Sequence, residues 1–211
     1  MQHGIELEPF GDAATRVRLP EGVDARSLLQ ALRALPGVMD AVVTERHALV
    51  TFAPSRMPSG IAEAVEASLG LQAPTEPLLP IAIGIRYDGE DLGEVAGATG
   101  LTPAEVIALH AGADYTVAAI GFMPGFAYLR GLHPRLTVPR RASPRARVPA
   151  LSVAIAGPYC GVYPFASPGG WSLLGTAVGF APFDAAAGAR LALGDRVRFT
   201  PVESGPWKEA R

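Results

Sequence analysis

From Tyr115 to Phe183 the chain runs for 69 residues without a single Asp or Glu. Six arginines lie in the same stretch: Arg130, Arg135, Arg140, Arg141, Arg145 and Arg147. Gly and Pro interrupt it throughout, filling 18 of the 62 positions from 121 to 182 but only 26 of the other 149. Proline fixes φ and removes a backbone donor, so this spacing leaves no room for a long helix. What survives is a set of short apolar runs at 115–120, 151–156, 161–163 and 173–178, with another at 196–199. Many short strands between turn signals predict a β-barrel or sandwich.

The residues before this segment have a different texture. Residues 14–19 alternate as a half-buried strand does, and Asp24 is placed to cap a helix running to Leu35. Leu28, Leu29, Leu32 and Leu35 share a face of that helix, and Gly37 stops it. Two β-rich runs, 38–44 and 47–52, read as a hairpin, and Ile61, Val65 and Leu69 repeat the helical spacing up to Gly70. The order β-α-β-β-α predicts a ferredoxin-like sandwich, completed by one more strand from Ile5 or Ile81. Residues 72–77 are polar, contain proline and lack periodicity, as a linker does. The expected organisation is therefore α+β, with a ferredoxin-like domain at 1–76 and a barrel domain at 77–211. The barrel domain opens with a strand at 79–87 and helices at 90–99 and 102–111, where Thr102, Pro103 and Glu105 form a capping-box signature.

The formal charge is −2, and 49% hydrophobic against 18% charged residues is ample for a core and too apolar for disorder. That average conceals +6 in the acid-free stretch and −8 in the rest of the chain. A sequence pI of 6.1 argues against a nucleic-acid binder, which should lie above about 9. The single cysteine, Cys160, permits no internal disulfide and reads as a buried, inert thiol in a reducing compartment. No basic, apolar leader opens the chain, and no run approaches the ~18 apolar residues of a membrane helix, so a soluble cytoplasmic protein is expected. His3, His47, His110 and His133 have no ligand spacing, and the sequence contains no phosphate loop, GxGxxG or HExxH. No metal site is expected.

Three motifs concentrate in the acid-free stretch: GFMPGFAYL at 121–129, PRRASPRARVP at 139–149 and SPGGW at 167–171. Singly they read as two turns and a solvated basic loop. Together they favour an anion pocket with aromatic walls.

GFMPGFAYLRGL, PRRASPRARVP, SVAIAG, GVYP and SPGGW, in that order, resemble the family of allophanate hydrolase subunit 1, KipI and the 5-oxoprolinase B component PxpB. The resemblance runs from about residue 79 to 199. It implies a cyclophilin-like β-barrel in the C-terminal domain and a partner, the subunit 2 or C-type protein. In the 5-oxoprolinase case three subunits hydrolyse 5-oxo-L-proline to L-glutamate with ATP. The first reading is therefore the B component of that complex, with A- and C-type partners and a small anionic substrate, ATP as cofactor and the Mg2+ ligands coming from a partner. The alternatives are a KipI-type inhibitor of a sensor histidine kinase, without chemistry, and an accessory domain of an allophanate hydrolase or urea carboxylase-type system.

On the first reading Arg140 and Arg145 supply cations for substrate carboxylate and developing phosphate charge. Phe126, Tyr128, Tyr163, Gly169, Gly170 and Trp171 shape the binding site. His110 is the candidate for proton transfer, against the simpler reading of a packed helix-face histidine. The chain departs from the common family pattern at Tyr159-Cys160, where a polar pair is usual, and at Thr176, where an arginine is usual. Both departures bear on the identity of the substrate.

Overall fold

The computed structural model describes residues 5–70 and 79–202. The chain divides into two compact units, Met1–Pro77 and Leu78–Arg211. The linker expected at 72–77 lies outside the described residues.

In the first unit, β1 (Leu7–Pro9) and β2 (Ala14–Arg18) form an antiparallel pair, followed by α1 (Ala25–Ala34), the hairpin β3 (Val38–Val43) and β4 (His47–Phe52), and α2 (Ile61–Ala67). The sheet order is β1-β2-β4-β3. The Asp24 carboxylate accepts from the Ser27 N–H at 2.7 Å, a cap worth about 1 kcal/mol. Leu28 and Leu32 of α1, with Ile61 and Val65 of α2, are buried together with Val17, Val43, Ala48 and Val50 of the sheet. The predicted β-α-β-β-α order is present as β2-α1-β3-β4-α2. The extra strand comes from the N-terminal side, near Ile5, and pairs along β2, while Ile81 enters the second unit.

The second unit contains β5 (Ile81–Arg86), α3 (Leu92–Thr99), α4 (Pro103–Ala111), β6 (Tyr115–Ile120), β7 (Ala127–Arg130), β8 (Arg145–Val148), β9 (Ser152–Ala156), β10 (Tyr159–Val162), β11 (Ser167–Gly169), β12 (Ser172–Val178), β13 (Phe183–Asp184), β14 (Gly188–Ala189) and β15 (Arg196–Pro201). Seven of these strands close a barrel in the order β10-β7-β6-β15-β5-β12-β9. All neighbours are antiparallel except β15 and β5, which run parallel with Val197 opposite Ile81. The mixed α+β class and the barrel agree with the sequence reading. The capping box on α4 is formed as expected: Thr102 Oγ1 accepts from the Glu105 N–H, and the Glu105 carboxylate accepts from the Thr102 N–H.

Side chains alternate across a strand, so the barrel wall has two apolar faces. Val153 and Ile155 of β9, Cys160 and Val162 of β10, Ala127 and Leu129 of β7 and Phe199 of β15 belong to the main core, which also takes in Val95 and Ala96 of α3 and Val106 of α4. Ala154 and Ala156 of β9 and Leu173 of β12 point the other way, into a second cluster with Phe126, Val148, Tyr163 and Trp171, on which Tyr128 and Tyr159 pack. Two expected loops contain strands instead. The arginine-rich segment forms β8, and the SPGGW segment forms β11, and the two pair with each other.

Candidate functional site

The second apolar cluster is an aromatic layer on the outer face of the barrel. Phe126 is its hub, with ring centroids 5.1 Å from Tyr128, 5.4 Å from Tyr163 and 5.5 Å from both Trp171 and Phe122. Tyr128 lies 5.7 Å from Trp171 and 5.8 Å from Tyr159. All of these contacts are edge-on or steeply tilted, the arrangement that ring quadrupoles favour. Glycine makes the layer possible. A Cβ on Gly161 would stand 2.9 Å from Phe126 Cζ and 3.3 Å from Trp171 Cζ3, so the rings lie directly on the backbone of β10. Gly169 likewise leaves space for the Tyr163 hydroxyl, and the Gly170 carbonyl accepts from the Arg141 N–H at 2.8 Å. Burial is the largest influence on the Tyr163 phenol and pushes its pKa up, against the opposing effects of Arg140 and the Trp171 backbone N–H.

Two cations top this layer. The Arg140 guanidinium carbon lies 5.9 Å from the centre of the Trp171 ring, and that of Arg130 is 5.9 Å from the centre of the Tyr159 ring. Both arginines are exposed, and among the described residues Arg140 pairs with no carboxylate. Phe122 is 60% exposed and has φ of +73°, a backbone region that bulky residues rarely adopt. Its loop is fixed by hydrogen bonds from Gly121 N to Phe126 O and from Phe126 N to Met123 O. The arrangement is an aromatic floor with a guanidinium that is free to meet an anion, suited to a small, flat, negatively charged molecule.

The structure therefore brings Arg140, Phe126, Tyr128, Tyr163, Gly169, Gly170 and Trp171 together. It separates the two remaining site candidates. Arg145 is held by acids from outside the acid-free stretch: its Nη2 is 2.6 Å from Asp91 Oδ1 and its Nε 2.7 Å from Glu90 Oε1. Those partners, Asp91 first, raise its pKa, and they already neutralise it. Arg141 Nη1 is bound in the same way, 3.1 Å from Asp91 Oδ1 and 2.9 Å from Glu94 Oε2. The basic loop is thus a strap whose second and third arginines are fastened by carboxylates.

His110 belongs to the barrel interior. It is fully buried, with Nδ1 2.8 Å from the Tyr87 hydroxyl, Nε2 3.2 Å from Cys160 Sγ and its ring against Tyr115 and Phe199. Cys160 faces inward from β10, between the outward positions 159 and 161, so the sheet separates His110 from the aromatic layer. Burial lowers the His110 pKa to about 3 and pushes the Cys160 thiol and the Tyr87 phenol up, so all three are neutral at pH 7. The proton-transfer assignment fails on that enclosure. The thiol is buried as expected, although no sequence motif announced that it would meet a histidine.

Sequence reasoning missed Asp91, a buried acid with three partners. Its side chain is 4% exposed, and besides the two guanidiniums it accepts from the Leu173 N–H at 2.7 Å. The only local clue is its place just ahead of α3, because its partners lie 50 to 82 residues away. Among the described residues no group of three or more His, Cys, Asp or Glu could hold a metal ion, and no helix is long and apolar enough to cross a membrane.

Residues 5–189 match the family described as carboxyltransferase domain, subdomain C and D. The chain is 38% identical to the B component of 5-oxoprolinase from Escherichia coli O157:H7, across 95% of this chain and 92% of that protein. It is 47% identical to the corresponding 5-oxoprolinase component of Bacillus subtilis (strain 168), over 46% of this chain and 40% of that one. The solved structure of TTHA0988 superposes with a TM-score of 0.78 at 41% identity, over 94% of this chain, which spans only 42% of that longer protein. Kluyveromyces lactis urea carboxylase shares the fold at 17% identity, with a TM-score of 0.72 over 94% of this chain and 22% of that one. The chain belongs to the carboxyltransferase subdomain C and D family. Within it, this chain groups with the B components of 5-oxoprolinase.

Proposed function

We propose that this chain is the B component of an ATP-dependent 5-oxoprolinase, which opens 5-oxo-L-proline to L-glutamate together with A-type and C-type subunits. The observation that carries this reading is the identity to the Escherichia coli protein along almost its whole length. The outer-face site supplies the chemistry that the substrate asks for. Its carboxylate needs a cation, and the exposed Arg140, over Trp171, provides one; the flat lactam ring needs an aromatic wall, which the half-buried Tyr128 offers on the buried Phe126 and Tyr163.

An unstrained lactam is a poor electrophile, and bound ATP supplies the phosphoryl group that activates its oxygen. The carboxylates nearest the strap do not fit a Mg2+ site, because Glu90, Asp91 and Glu94 are each paired with a guanidinium. On this reading the Mg2+ ligands come from a partner subunit. Residues 5–70 then form a ferredoxin-like layer with its edge strand moved to the N-terminal side, and the barrel is cyclophilin-like.

Co-expression with A- and C-type subunits and an assay of 5-oxoproline-dependent ATP hydrolysis tests the proposal. Arg140→Ala should reduce kcat/KM by about 10- to 100-fold, the loss of one charge-assisted hydrogen-bond pair. No 5-oxoproline-dependent turnover in the complete complex would overturn the function. Turnover unchanged in Arg140→Ala would overturn the site.

A further inference from the structure

We infer that Asp91 is a positioning residue for Arg140: it fastens the arginine strap to the barrel so that the Arg140 guanidinium stands over Trp171. The functional part of this inference rests on the reading of Arg140 as the cation of the substrate site.

Asp91 joins three parts of the unit at one buried point. Asp91 is tied to β12 twice, by its backbone N–H donating to Leu173 O and by its carboxylate accepting from the Leu173 N–H. The same carboxylate receives Arg141 Nη1 and Arg145 Nη2. Arg141 is also tied to the β11–β12 turn through its N–H on the Gly170 carbonyl, and Trp171 follows directly. Arg140 therefore sits next in sequence to one tethered arginine and five residues before the other. It has no ion pair of its own among the described residues, so the strap's anchorage sets its position.

Among the described residues Asp91 is the buried carboxylate that both guanidiniums share. Arg141 Nε and Arg145 Nη1 are already buried without a hydrogen-bond partner. Glu90 and Glu94 are more than 60% exposed and hold their arginines only from the solvent side. Asparagine at position 91 would still accept from the Leu173 N–H, but it has no charge for two guanidiniums, and its NH2 adds donors where acceptors are needed.

The test has two independent readouts. The first needs no partner and no turnover: acrylamide quenching of Trp171 emission in a Trp207→Phe background. Asp91→Asn should raise the quenching constant of Trp171 by about 2-fold or more as the Arg140 cover leaves, whereas Glu94→Gln should leave it within experimental error. The second is kinetic, in the assembled three-subunit complex. Asp91→Asn should raise KM for 5-oxoproline by about 10-fold with kcat within about 2-fold, and in an Arg140→Ala background it should raise KM no further.

A purely structural role would give multiplicative KM effects, and that result overturns the inference, as does an unchanged quenching constant. Should Asp91→Asn fail to fold, Arg141→Gln releases one of the two tethers and should shift quenching and KM in the same direction; no shift in that variant is equally fatal. If the complex does not turn over 5-oxoproline at all, the functional proposal falls, while the quenching result still decides whether Asp91 places Arg140.

Discussion

Acid should destabilise the barrel through His110. The imidazole has a pKa of 6.5 when free and about 3 in its enclosed position, where burial opposes the charge. A base with a lowered folded-state pKa binds its proton more readily in the unfolded chain. Its contribution to stability is therefore complete above pH 6.5 and is lost as the pH falls from there towards 3. With these two values the loss is about 3 kcal/mol between pH 7 and pH 4, a large part of a typical 5–15 kcal/mol stability.

Carboxylates titrate in the same range, so a difference measurement is required. Urea unfolding of the wild type and of His110→Leu, from pH 7 to pH 4, isolates the histidine. Leucine at position 110 removes the contacts to Tyr87 and Cys160, but burial pushes Tyr87, Tyr115 and Cys160 upwards, away from acid, so that penalty does not vary over the range. Tryptophan emission reports on the second unit alone, since Trp171 and Trp207 both lie beyond residue 78. The stability advantage of wild type over His110→Leu should shrink by about 3 kcal/mol on going to pH 4. An advantage that stays constant with pH would show that His110 is solvated and would refute the enclosure argument.

At Phe122 the left-handed backbone reverses an ordinary ranking. Alanine and glycine both lose the ring, but only glycine relieves a strain of about 1–2 kcal/mol, against about 0.5–1 kcal/mol of extra chain entropy. Phe122→Gly should therefore unfold at higher denaturant than Phe122→Ala, and the opposite order would mean that the loop does not hold φ near +73°. Gly161→Ala should cost about 1–3 kcal/mol through forced displacement of Phe126 and the Ala127 carbonyl, and it should shift the Trp171 emission maximum. Wild-type stability and an unaltered spectrum would show that the rings do not rest on the β10 backbone.

How far the sequence foretold this structure depended on the reach of each interaction. Local signals did well: Asp24 capped α1, the Thr102–Glu105 box opened α4, and the short runs after residue 150 became β9, β10 and β12. Pairings between distant residues were hidden. Nothing near Arg145 announces that its acid lies 54 residues earlier, so a tethered arginine looked like a free one. The β8–β11 pair was missed because each strand is short and rich in proline, glycine or arginine, and each is stabilised only by the other. Alternation carries one further clue: with Val153 and Ile155 inward on β9, the register Cys160 opposite Ile155 places the thiol inside, within reach of a core histidine.

The parallel pairing of β5 with β15 also governs how the barrel is born. The strand that sits between β5 and β6 is the last of the seven to be synthesised, more than a hundred residues after β5. Without Arg196–Pro201 the strand order leaves an open sheet, with β5 and β6 as edges that carry unpaired backbone groups. Closure waits on that strand and spans a long loop, which slows folding and lengthens the window for misassociation. A chain interrupted shortly before residue 196 would carry the whole aromatic layer and the arginine strap, yet it would be released as an aggregation-prone sheet.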